Sequence, residues 1–162
     1  QIHSNVWSVT SFNELARDGM ACDEYNRLHP LTETAQESWV SKQLRHTDGI
    51  VVSATDHMRA YSEQIRGYLP DNRPYVTLGT DGYGRSDTRG NLRSYFGVDA
   101  AHIVVATLKK LADEGEVENR LVKDAISSFE LDTDRPVAWA PQEHPQVQAV
   151  AEYHEYQAGE GN

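Results

Sequence analysis

The sequence predicts an α/β fold of three layers, with helices on both faces of a mostly parallel central sheet. Three observations carry that reading. Short β-branched runs at 6–10, 50–54 and 75–79 alternate with longer segments of helical period. The run Ile50-Val51-Val52 is apolar without interruption, as in a strand covered on both faces. The third run passes through a glycine-rich turn, Gly79-Thr80-Asp81-Gly82-Tyr83-Gly84-Arg85-Ser86-Asp87-Thr88-Arg89, into a helical stretch at 91–97. A strand, a tight turn and a helix start thus lie end to end, and such a turn lets backbone approach a ligand or another subunit closely.

Taken in order, residues 6–10 alternate and form the first predicted strand. Ser11 is placed to cap a helix over 12–28, with Glu14 at the third helical position of a capping box. Leu15, Gly19, Cys22 and Asn26 share one face of that helix, and Gly19 is its weak point. His29-Pro30 ends it, because the residue before proline avoids helical geometry. A short helix over 35–44 turns Trp39 and Val40 inward. The second strand, 50–54, is expected to be buried on both faces. Thr55 or Asp56 then caps a helix over 57–69, which Pro70 stops. After the third strand and the glycine turn, Ser86 or Asp87 is the local cap for the next helix. Two more helices follow at 100–114 and 117–129, separated by Gly115.

The chain has 162 residues, enough for one domain with a real core plus a tail. Its formal charge of −10 argues against nucleic-acid binding, which needs a surplus of lysine and arginine. The single cysteine, Cys22, excludes an internal disulfide and a cysteine-rich zinc site; it reads as a core thiol in a reducing compartment, and a cytoplasmic location is expected. No apolar run approaches the ~20 residues that span a bilayer, so no membrane partner is expected. The chain opens on Gln1 almost directly before a strand, and it reads as a piece of something longer. From Asp132 the character changes: Pro136, Pro141 and Pro145 interrupt any pattern, and six acidic residues stand against one arginine. Residues 1–131 are therefore taken as the α/β domain and 132–162 as an acidic tail, partly extended, with Trp139 able to pin its middle.

The seven histidines are scattered, with no i, i+4 pair of the helical zinc type, and read as surface or capping residues. No nucleophile elbow, P-loop or dinucleotide fingerprint is present. The residues left with possible function are those of the turn: Asp81, Gly82, Tyr83, Gly84, Arg85, Ser86, Asp87 and Arg89, with Arg93 beyond. One reading is a ligand rim or subunit contact held by bidentate arginine pairs. The other is local, with a helix cap and solvated arginines.

Four stretches carry a resemblance: 9–19 (Val9-Thr10-Ser11-Phe12-Asn13-Glu14-Leu15-Ala16-Arg17-Asp18-Gly19), Ala54-Thr55-Asp56-His57-Met58, 78–92, and Phe96-Gly97-Val98-Asp99. Together they resemble the C-terminal domain of the bacterial homodimeric pyruvate dehydrogenase decarboxylating components, over about 6–129. The looser pattern of Asp81, then Tyr83-Gly84-x-Ser86 and later Phe96-Gly97, is similar to the wider transketolase family of thiamine diphosphate enzymes. The resemblance implies a three-layer α/β domain, the third of a large enzyme that decarboxylates pyruvate and reductively acetylates lipoyl groups. It implies thiamine diphosphate and magnesium bound by the upstream domains and none in this chain, so no residue here is assigned a catalytic, cofactor-binding or metal role. The implied partners are those upstream domains, a second copy in a homodimer, and the dihydrolipoyl acyltransferase component of the complex. The family domain begins one strand and helix earlier. Without them apolar surface is expected to lie exposed, and the chain to fold stably only beside the rest of its parent. Two other functions compete: a free-standing module that binds an anion at 79–87, and an interaction domain whose acidic tail docks on a partner.

Overall fold

The computed structural model describes residues 2–140, and the part of the acidic tail from 141 onward, with His144 and His154, lies outside the described residues. Helices and a parallel two-stranded sheet make up the described chain. Their order is α1 (Phe12–Leu28), α2 (Trp39–Leu44), β1 (Val51–Ala54), α3 (Arg59–Glu63), β2 (Tyr75–Leu78), α4 (Arg89–Phe96), α5 (Ala100–Asp113) and α6 (Asn119–Ser128). The strands pair in parallel register, Val51 opposite Tyr75 through Ala54 opposite Leu78.

The start of α1 follows from its residues. Ser11 adopts extended geometry and its side chain accepts from the Glu14 backbone N–H at 3.2 Å, satisfying one of the orphan donors of the first turn. Gly19 is buried, and a Cβ there would lie 2.6 Å from the Tyr68 ring. The glycine that weakens the isolated helix is the notch that seats this ring.

The second helix begins later than the sequence predicts. Gln36 exchanges two hydrogen bonds with the Asn26 amide, 2.7 Å from its N–H and 2.9 Å to its C=O, which holds the chain extended there. Ser38 then becomes the cap, accepting from Ser41 N–H at 3.2 Å. Val40 points inward as expected, but Trp39 does not: it is 56% exposed.

Three further expectations are corrected. The run 6–10 is not a strand, and Val6 stands 95% exposed. Alternation gives the propensity, but a strand needs a neighbour to take its N–H and C=O groups, and among the described residues β1 pairs only with β2. For the same reason β1 is half-buried rather than covered on both faces, and its last residue is exposed. The helix expected over 57–69 is one turn, α3, followed by a 3₁₀ turn over Arg66–Tyr68. Its bonds run from Tyr61 to Met58 and from Tyr68 to Ile65, i to i−3, and Gly67 adds nothing to resist the tightening.

The sheet is covered from two sides. Val40, Ile65, Leu69 and Tyr75 form a buried cluster, with Phe12, Leu15, Leu44, Val51 and Tyr68 packed against it. This joins α1, α2 and the α3 region to the face that Val51 and Tyr75 share. Val52 and Val76, one residue on, face the other way, and α5 lies against both strands and against α6. Burying a side chain of the Leu or Ile kind contributes about 1.5–3 kcal/mol, so this small cluster supplies much of the fold's drive.

Candidate functional site

The glycine turn begins at a close approach. Gly79 is buried at the end of β2, and a Cβ there would lie 2.6 Å from both the Arg59 nitrogen and the His57 carbonyl oxygen. Only glycine lets this strand end run against the β1–α3 connection. Two hydrogen bonds then fix the contact: Thr80 N–H donates to the His57 carbonyl at 2.9 Å, and the Thr80 hydroxyl to the Asp56 carbonyl at 2.8 Å. On the other side His57 N–H donates to Thr55 Oγ1 at 3.1 Å. Thr55 thus closes a local turn, and Met58 takes the cap position of α3 without a side-chain bond.

Asp81 turns back toward α3 and accepts from Arg59 Nε at 2.7 Å. Gly82 has φ +113°, a conformation that favours glycine, and it lies under the backbone of Ala138. Tyr83 projects outward, 88% exposed, and Gly84, Ser86 and Arg89 are exposed as well. The Arg85 guanidinium stacks on the Tyr95 ring, 4.3 Å from its centroid. Arg85, Ser86, Asp87, Asn91, Leu92 and Tyr95 line an open cleft of about 300 Å³.

Helix α4 is capped by Thr88, which accepts from Asn91 N–H at 3.3 Å, and not by Ser86 or Asp87. Asp87 sits one residue outside, accepting from Thr88 N–H at 2.6 Å and from the Asn91 amide at 2.8 Å. The bond from Thr88, then that from Asn91, holds the Asp87 carboxyl below the usual carboxylate range. At the far end of α4, Gly97 takes the left-handed conformation and closes the helix.

The charged residues of the turn reach partners in several elements. Asp81 goes to Arg59, Arg85 to an aromatic ring, Asp87 to the helix start, and Arg93 to Asp56 at 3.1 Å. The structure thus joins Asp81 to Arg59 and Arg93 to Asp56 beyond the carboxyl ends of the strands, and gathers Arg85 and Asp87 in the cleft beside α4. Sequence reading missed Arg59 and Asp56 as members, because partners 22 and 37 residues apart leave no local spacing to read.

The remaining candidates have local partners. His102 contacts Asp99, its helix cap, through Nδ1 at 2.6 Å. His29 stacks on Tyr25, and His57 meets the Tyr61 ring edge-on. Cys22 is half-buried rather than a core residue, at the rim of a small depression beside Gly19, Asp23 and Tyr68. Among the described residues no helix is long and apolar enough to cross a membrane.

Comparison with known proteins agrees with this geometry. The family model for the transketolase-like TK C-terminal domain matches residues 1–99. The chain is 48% identical over 134 residues to the pyruvate dehydrogenase E1 component of Escherichia coli strain K12, and 48% over 135 residues to that of Cupriavidus necator. It is 46% identical over 134 residues to the protein of that name from Pseudomonas aeruginosa. Each alignment covers 83% of this chain and 15% of the relative, so the chain spans a small part of the length of the proteins it matches. With its α/β architecture and a family match over more than half its length, the chain belongs to the transketolase-like C-terminal domain family.

Proposed function

We propose that this chain is the C-terminal part of a thiamine diphosphate-dependent pyruvate dehydrogenase, and that its own work there is structural. The observation that carries the reading is the 46–48% identity, sustained over 83% of the chain, to proteins named pyruvate dehydrogenase E1 component. In this reading the whole enzyme, in the cytoplasm, decarboxylates pyruvate and passes the acetyl unit to lipoyl groups of an acyltransferase component. Thiamine diphosphate and magnesium are held by the upstream part. Among the described residues no group of three or more His, Cys, Asp or Glu is arranged to hold a metal ion. The Arg85 guanidinium in the open cleft already lies on Tyr95. In this reading none of these residues holds the cofactor.

Residues 1–131 brace the upstream domains and contribute to the homodimer, and the acidic tail from 132 follows them. The turn over 81–89 lies at a domain or subunit contact. Its exposed Tyr83, 88% open to solvent, and the Arg85 cation beside it are residue types enriched in protein interfaces. Exposed Val6 and Trp7 supply apolar surface for the same purpose.

The test is made in the whole enzyme. The unmodified protein decarboxylates pyruvate. Arg85→Ala weakens dimerisation or lowers activity by about fivefold, the effect of roughly 1 kcal/mol at an interface residue, while thiamine diphosphate binds as before. A variant that dimerises normally yet no longer binds the cofactor overturns the placement of the turn. An unmodified enzyme without pyruvate decarboxylation overturns the functional reading.

A further inference from the structure

Five consecutive residues after α6 cross the turn and touch three separate elements. Arg135 Nη1 donates to the Ser94 carbonyl near the end of α4 at 2.6 Å. Its other terminal nitrogen lies 3.0 Å from where a Cβ on Gly97 would sit. The Ala138 carbonyl oxygen lies 2.7 Å from the Cβ position of Gly82, and the Trp139 nitrogen 3.2 Å from it. Trp139 covers the Arg59 guanidinium, 4.9 Å from ring to cation. The same Arg59 holds Asp81 from the other side at 2.7 Å. A turn with Ala140 N–H donating to the Val137 carbonyl at 2.9 Å shapes the end of the segment.

Two glycines lie along this crossing. Gly82 and Gly97 both have positive φ, at +113° and +70°; a Cβ on Gly82 would meet the Ala138 backbone, and one on Gly97 would only nudge the tip of Arg135. Arg59 is the hub: a carboxylate of the turn sits on its Nε and an indole of the crossing segment on its face. Loss of Trp139 therefore uncovers one face of the guanidinium that holds Asp81.

We propose that residues 135–139 are a strap that latches the glycine turn, so that the C-terminal segment sets whether 80–89 is held in place or released. With the strap closed, Tyr83 and Arg85 are presented from a fixed frame. With Arg135 or Trp139 drawn off by a competing contact, Asp81 and Gly82 lose their cover and the turn opens. The strap acts on the turn itself, whatever the turn contacts.

Limited trypsin cleavage of the full chain tests it, because Arg85 and Arg89 lie within and at the end of the turn. Cleavage at a transiently opened site follows the open population when closing is fast. In Trp139→Ala, cutting after Arg85 and Arg89 rises by about threefold, the worth of an exposed cation–π contact. In Arg135→Ala it rises about tenfold, as for a hydrogen bond from a charged group. Cutting at Lys109 in α5 stays unchanged in both, and exchange of the Thr80 amide accelerates with the turn cleavage. If an alanine variant also loses protection at Lys109, the same reading is taken on Trp139→Leu and Arg135→Lys, which retain bulk or charge. Turn cleavage and Thr80 exchange equal to the unmodified chain, with α5 intact, overturn the strap.

Discussion

The two ends of the β1–β2 pair are held by different forces. At the amino ends, Val51 and Tyr75 join a buried apolar cluster of Val40, Ile65 and Leu69, with polar contacts at its edge: the Arg66 guanidinium on the Tyr75 ring and carbonyl, and the Tyr75 hydroxyl. That hydroxyl donates to the Ser62 carbonyl at 2.8 Å, so its burial leaves no orphan and raises its pKa through desolvation. At the carboxyl ends the contacts are polar and directional: Thr80 on the His57 backbone, Asp81 on Arg59, Arg93 on Asp56. Apolar burial is strong but tolerant of direction, whereas hydrogen bonds add little net energy and fix position closely. The first end therefore carries stability and the second carries geometry, which is the division expected where open α/β sheets present their carboxyl-end loops for use.

Leu69→Ala is the largest blow to that division. The side chain is 6% exposed and lies among Val40, Ile65 and Tyr75, so its removal leaves a cavity. A loss of about 3 kcal/mol is expected, within the range for large-to-small core changes, read as a fall in the urea midpoint at unchanged slope. A loss under about 1 kcal/mol would mean that the cluster collapses around the gap and that the amino ends are not the stabilising ones.

Gly79→Ala comes next and tests the other end. The new methyl meets two backbone atoms at 2.6 Å, neither of which is a flexible side-chain tip. The cost is about 2 kcal/mol by the measure of overpacked sites. Gly84→Ala, five residues on, is the control: nothing lies within 4 Å of its Cβ position and it is exposed, so it changes stability by less than about 0.5 kcal/mol. Equal effects at both glycines would show that the turn needs flexibility in general and not one close approach.

These contrasts explain which parts of the molecule were legible in the sequence. Helix α1 was legible from Ser11 to Leu28 because its signals, the Ser11 cap and the proline beyond His29, are local. The strands at 51–54 and 75–78 were legible because they find each other. The run at 6–10 carried the same alternation, but the partner that would make it a strand is not among the described residues. The close approach at Gly79 was legible as a glycine between a strand and a helix. What it approaches, the His57 and Arg59 backbone, was not, since nothing in a linear pattern links 79 to 57. The same holds for Arg59 between Asp81 and Trp139: three residues from three segments meet only after the chain has folded.

Asp99 gives the smallest and most conditional effect, and it sharpens the comparison because it works through polar contacts. It caps α5, accepting from the His102 N–H at 3.0 Å and contacting the His102 ring nitrogen at 2.6 Å. Burial alone would raise its pKa, but those bonds outweigh burial and hold the carboxyl below its ordinary value. A carboxylate with a depressed folded pKa stabilises above its unfolded value, near 3.9. That contribution is lost as pH falls through the lower, folded value. Asp99→Ala is therefore expected to cost about 1 kcal/mol at neutral pH, the usual worth of a cap. The cost shrinks below about pH 4, as the unsubstituted chain loses the same carboxylate. Asp99→Asn, which keeps a cap oxygen without the charge, costs less and varies little over that range. Urea unfolding of the three chains at neutral and acid pH separates these terms. An alanine penalty that stays constant into acid would assign the whole effect to the shape of the cap and none to its charge.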